Sequence, residues 1–164
     1  MDEILTQHAH TYVRRNNLRL AERLGHGIHG IVYAAERNAE PGNVAIKVHR
    51  SREVHERERN VYLRLKEAGV DKILGFNVPK LIRVDDELLV VEMSIVSRPF
   101  VLDFAGAYLD CAPTFSDEIW SDWEAEKREQ FEERWAKVQE VLSALEELDI
   151  YMVDVSPSNI AFRD

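Results

Sequence analysis

Three glycines within six residues, Gly25-x-Gly27-x-x-Gly30, stand between Leu18-Arg19-Leu20 on one side and Ile31-Val32-Tyr33-Ala34-Ala35 on the other. The run after the loop is β-branched and aromatic, so the loop is expected to be the turn of a β-hairpin. This constrains the fold, because a dinucleotide-binding loop of the same spacing must lead straight into a helix that receives the pyrophosphate. A loop of the form G-x-x-x-x-G-K-[ST] is also excluded, since Ile31-Val32 stands where Lys and Ser/Thr are required. Glycines without Cβ atoms let main-chain N–H groups approach phosphate oxygens and permit φ > 0 in a turn. A tight turn that binds nothing is the plain alternative.

The rest of the chain extends this pattern. Pro41-Gly42-Asn43 is a turn signal before Val44-Ala45-Ile46-Lys47-Val48, a second strand. Residues 51–66 lack Gly and Pro and carry Val54, Arg57/Glu58, Val61, Tyr62 and Leu65 at helical intervals, which predicts one helix. Residues 79–84 and 88–93 read as strands around the turn Asp85-Asp86-Glu87, giving the order β-β-β-α-β-β. All seven glycines lie at or before Gly106. Beyond it Phe131, Trp135, Val138, Leu142, Leu145 and Leu148 form the stripe of a long amphipathic helix. Its acid-rich flank, 116–134, reads as a solvated helical face on which Trp120 and Trp123 cap a core, with partner docking as the alternative.

The chain has 164 residues, with 21 Lys+Arg against 30 Asp+Glu and a net charge of −9. That length suits one domain, expected as two lobes of a single unit, and the acidic balance argues against binding nucleic acid or anionic membranes. Cys111 has no second cysteine to pair with, and Met1-Asp2-Glu3-Ile4-Leu5 has no leader-like character, so a cytoplasmic location is expected. The six histidines are dispersed, with His8 and His10 on an amino-terminal tail and His26 and His29 in the glycine loop, where polar filler is the expected role and phosphate contact the alternative, so zinc is not expected. His55-Glu56 begins like H-E-x-x-H, but residue 59 is Arg. No G-x-S-x-G elbow is present.

Gly25-x-Gly27-x-x-Gly30-x-Val32 followed by Val44-Ala45-Ile46-Lys47 resembles the glycine-rich loop and V-A-I-K strand of protein kinases. The resemblance implies that Lys47 sits at ATP phosphates and pairs with a glutamate on the following helix. Glu58 precedes Tyr62 by four and Leu65 by seven, on the core-facing stripe, whereas Glu56 sits in a charged cluster. Glu58 is therefore the expected partner and Glu56 the fallback. Gly25, Gly27, Gly30, Val32, Ala45 and Lys47 would bind the nucleotide, with Glu92 and Met93 at a hinge.

Asp154-Val155-Ser156-Pro157-Ser158-Asn159 resembles the catalytic loop of the same family in its D-x-x-x-x-N spacing. By that resemblance Asp154 is the catalytic carboxylate that orients the attacking hydroxyl, and Asn159 ligates Mg²⁺ or Mn²⁺ held by ATP. The His and Arg of the family motif are Met152 and Val153 here, and no D-F-G follows Asn159. The expectation is an α+β, protein-kinase-like molecule: residues 1–93 form a nucleotide-binding lobe with a five-stranded antiparallel sheet and one crossing helix. Residues 94–164 form a reduced helical lobe. A serine/threonine-type phosphotransferase is the first reading and a pseudokinase-like binding module the second. Expected partners are ATP, a protein substrate or regulatory chain, and a second copy of the chain.

Overall fold

The computed structural model describes residues 1–164. It is an α+β molecule with helices α1 (Asp2–Arg15), α2 (Arg52–Glu67), α3 (Asp117–Phe131) and α4 (Trp135–Glu146), and longer strands β1 (Leu18–His26), β2 (Gly30–Arg37), β3 (Asn43–His49), β4 (Leu81–Asp85) and β5 (Val90–Ser94). No helix is long and apolar enough to cross a membrane. The chain divides into two compact units: Met1–Leu63 with Pro79–Ile95, and Arg64–Val78 with Val96–Asp164.

The first unit contains a five-stranded sheet in the order β1-β2-β3-β5-β4, antiparallel throughout. Every residue of β3 after Asn43 is buried, so this central strand is covered on both faces. Val44, Ile46 and Val48 share a core with Ile31, Tyr33 and Ala35 of β2 and with Leu5, Ala9, Tyr12 and Val13 of α1. Alternation along the strand sends Ala45, Lys47 and His49 to the opposite face, where Glu58 of α2 meets Lys47 and His49.

Helix α1 replaces the amino-terminal tail expected from the sequence. It has no side-chain cap at its start, and its four buried residues lie among charged ones, so its stripe is too short to stand out. Tertiary contact supplies what local propensity does not. Helix α2 matches the predicted span to within a residue at each end. The Ser51 hydroxyl accepts the Val54 N–H at its entry, and Val61, Tyr62 and Leu65 are buried along it.

In the second unit, Phe100–Val101 pairs antiparallel with Ile160–Ala161, while Phe100 also meets Asn77 in parallel register. The Asn77 N–H donates to the Pro99 carbonyl at 2.8 Å. These links tie 64–78 to the later chain, so the 1–93 part drawn from the sequence contains a segment that packs in the second unit. The single long helix predicted near the end is broken. Glu132 adopts φ +54°, and one turn of 3₁₀ helix, Glu132–Arg134, separates α3 from α4. Phe131, Trp135, Val138, Val141 and Leu145 face inward. Leu142 is half-buried, and Leu148 lies beyond the end of α4. Ser116 caps α3 by accepting the Ile119 N–H, and Trp120, Trp123 and Trp135 stack edge to face beneath it.

Candidate functional site

Strand register decides which side chains can act together. Val32 pairs with Lys47 and Ala34 with Ala45, while Val91 and Met93 pair with the same two residues from the other side. Directly opposed residues share a face, so Val32, Ala45, Lys47 and Met93 line the α2 side of the sheet. Lys47 Nζ lies 2.8 Å from Glu58 Oε1, with the lysine side chain 8% exposed and the glutamate 0%. His49 Nε2 approaches the same oxygen at 2.8 Å. Burial pushes the Glu58 carboxyl up, but the charge of Lys47 and the hydrogen bond from His49 outweigh it and hold the group at about 2. Glu58 is therefore an ionised carboxylate in a dry setting, and the fallback Glu56 is half-buried.

The three glycines of the hairpin are not equivalent. A Cβ on Gly30 would stand 2.2 Å from the Val48 carbonyl oxygen, so the close pairing of β2 with β3 requires glycine there. A Cβ on Gly27 would meet nothing within 4 Å, and one on Gly25 would touch only Val32 at 3.9 Å. Neither residue has positive φ. The fold does not require glycine at these two positions, which keep the space above Val32 open. The Gly27 N–H is already donated to the Gly30 carbonyl at 3.0 Å, so what the loop offers a ligand there is room rather than that donor. Arg50 donates to the Gly27 carbonyl from Nε and Nη2, both at 3.2 Å, and pairs with Asp2 at 2.6 Å. His26, expected as loop filler, lies 3.0 Å from Asp2. That arrangement lowers the Asp2 carboxyl, chiefly through Arg50.

Glu92 and Met93 do not form a hinge. Both lie inside β5, which is paired on one side with β3 and on the other with β4. Alternation turns the Glu92 side chain away from Lys47 and toward α1, where it accepts the Tyr12 hydroxyl and faces Arg83 Nε at 3.8 Å. Burial and that bond raise the Tyr12 phenol far above its usual range. Glu92 is thus committed to holding α1, while Met93 keeps its place on the Lys47 face.

In the second unit, Asp154 is exposed and Asn159 is buried. The Asn159 amide closes the loop at both ends: Nδ2 donates to the Asp154 carbonyl and Oδ1 accepts the Ser156 N–H, each at 2.7 Å. Trp123 Nε1 donates to the Val153 carbonyl at 3.0 Å and steadies the chain just before Asp154. No group of three or more His, Cys, Asp and Glu side chains is gathered to hold a metal ion. A pocket of about 400 Å³ in this unit is walled by Trp120, Trp123 and Trp135. On its rim Glu124 is engaged by Arg128 at 2.8 Å.

Sequence reasoning passed over His49, His55, Arg50 and Tyr12. The signal for His49 was period two, since it follows Lys47 by two residues on a strand. For His55 it was its place three residues before Glu58 on a helix. Together these features define an α+β protein with a buried lysine–glutamate pair beside an open glycine hairpin. No model of a known protein family and no curated protein matches the chain.

Proposed function

We propose that the chain is a protein-kinase-like, ATP-dependent phosphotransferase of serine/threonine type, acting in the cytoplasm. One observation carries this reading: Lys47 and Glu58 meet at 2.8 Å, buried, on the sheet face that also bears Val32, Ala45 and Met93. Desolvating two charges costs several kcal/mol each, roughly, and such a pair is weak evidence for stability. A polyanion seated beside Lys47 gives it a use. The open space at Gly25 and Gly27 supports the same ligand.

ATP supplies the transferred phosphoryl group, and Mg²⁺ or Mn²⁺ supplies neutralisation of its charge. Lys47 holds the phosphates, Glu58 holds Lys47, and Val32, Ala45 and Met93 offer apolar surface to the base. Asp154, exposed at the loop, would orient the acceptor hydroxyl and take its proton, and Asn159 would be the residue that holds the metal ion. A protein acceptor is the expected substrate, and a regulatory chain or a second copy is a further partner of the same reading.

The second reading is a nucleotide- or partner-binding module that transfers nothing, and the state of Asn159 favours it: both ends of its amide are engaged in loop closure. Incubation with labelled ATP, Mg²⁺ or Mn²⁺ and generic protein substrates separates the two. Transfer that is lost in Asp154→Ala and Lys47→Ala supports the enzyme. Nucleotide-dependent thermal stabilisation without transfer supports the module. Nucleotide binding unaffected by Lys47→Ala overturns the assignment of the nucleotide site.

A further inference from the structure

The Glu58 carboxylate does not belong to Lys47 alone. His49 is fully buried, and its contacts can be assigned atom by atom. Nε2 faces Glu58 Oε1 at 2.8 Å. Nδ1 faces the Leu89 carbonyl oxygen at 3.1 Å and His55 Nδ1 at 3.4 Å. A carboxylate and a carbonyl can only accept, so each ring nitrogen of His49 meets an acceptor, which a neutral imidazole with one N–H cannot satisfy. His55 completes the chain. Its Nε2 faces Asp86 Oδ1 at 2.9 Å, and Asp86 also receives Arg59 at 2.9 Å.

Two placements of one extra proton satisfy the His49–His55 contact. Either His49 carries both hydrogens and His55 is neutral, or His55 carries both and donates to His49 Nδ1. The second leaves the His49 Nδ1 lone pair against the Leu89 carbonyl. It also places the charge on the imidazole whose basicity is lowered, first by burial and further by His49. The first leaves no repulsive contact.

We infer that His49 is a buried imidazolium, its Nε2–H fixed on Glu58 and its Nδ1–H on the Leu89 carbonyl, and that it is the positioning residue of the Lys47–Glu58 pair. One carboxylate is then shared by two cations. The cluster of Lys47, His49 and Glu58 carries a net positive charge, and Lys47 retains attraction for a second anion while its ammonium stays in place. The functional part of this inference rests on the phosphotransferase reading; the protonation state does not.

Two-bond proton–nitrogen NMR correlations of the histidine rings in the nitrogen-15-labelled full chain, recorded near neutral pH, test the protonation directly. His49 is expected to show two protonated nitrogens and His55 one. A single protonated nitrogen on His49 overturns the inference. His49→Gln keeps a donor for Glu58 without the charge. Provided its melting transition shows it folded, it is expected to bind ATP about three- to tenfold more weakly than the wild type, as loss of a charge-assisted contact implies. Equal affinity overturns the positioning role. If the wild type does not bind ATP, the phosphotransferase reading fails, and the ring spectra alone decide the state of His49.

Discussion

Gly106 lies so close to Asp154 that a Cβ added at position 106 would stand 3.0 Å from the Asp154 Cβ. The flanking Phe104, Ala105 and Ala107 are buried, so the turn has little freedom to retreat. Gly106→Ala should displace Asp154 at a stability cost of about 1–3 kcal/mol, the usual range for overpacking. On the phosphotransferase reading, phosphoryl transfer is expected to fall more steeply than nucleotide affinity. Initial rates and ATP titrations on the same preparation check this.

The contrast between Gly30 and Gly27 separates fold from ligand. Gly30→Ala drives a methyl group into the Val48 carbonyl and should disrupt the β2–β3 pairing, leaving little folded protein. Gly27→Ala meets no neighbour and is expected to change unfolding stability by less than about 1 kcal/mol; on the phosphotransferase reading it also weakens nucleotide binding. Urea melts and ATP titrations of the two variants give the comparison.

Acid should unfold the first unit through Glu58. Its folded carboxyl sits at about 2 against an ordinary 4.5, so the unfolded chain takes up the proton first. The stabilisation is fully present above 4.5 and drains away as the pH falls toward 2. His55 acts in the same direction at higher pH: its folded value is lowered from 6.5, so stability begins to fall once the unfolded imidazole protonates. Glu58→Gln leaves Lys47 and His49 without their anion and should cost about 3–5 kcal/mol at neutral pH. The same variant should flatten the pH dependence between 4.5 and 2, read from urea unfolding across that range.

Tyr12→Phe removes the hydroxyl that the buried Glu92 carboxylate accepts, leaving Arg83 at 3.8 Å as its other partner. A loss of about 1–3 kcal/mol is expected from the unmade bond. Glu92→Gln combined with Tyr12→Phe should be less damaging than the sum of the two, which a double-mutant cycle from thermal melts measures.

The sheet and its crossing helix were legible because their signals are local. The strand content after Gly30, the turn at Pro41-Gly42-Asn43 and the uninterrupted stripe over Val61, Tyr62 and Leu65 each report a period without help from distant residues. The choice of Glu58 over Glu56 followed from that stripe. Helix α1 was not legible, since Leu5, Ala9, Tyr12 and Val13 gain meaning only against Val44, Ile46 and Val48. The break at Glu132 was equally hidden: nothing in Phe131-Glu132-Glu133 announces a positive φ at a glutamate.

Within the site, the sequence placed Glu92 beside Met93 without showing that strand alternation sends them to opposite faces. Glu92 therefore does not join Met93 on the Lys47 face, as its register with Ile46 shows. His49 and His55 were passed over for the opposite reason. Their contacts with Glu58 and with one another need the strand and helix packed together, and no spacing along the chain reports them.

The anchoring of Gly27 by Arg50 and of Arg50 by Asp2 has a practical consequence for anyone producing the protein. Any change at Asp2, by substitution or by an extension fused close to it, acts on a residue that helps hold the hairpin tip. Ligand affinities are best measured on protein in which Asp2 and the residues beside it are unaltered.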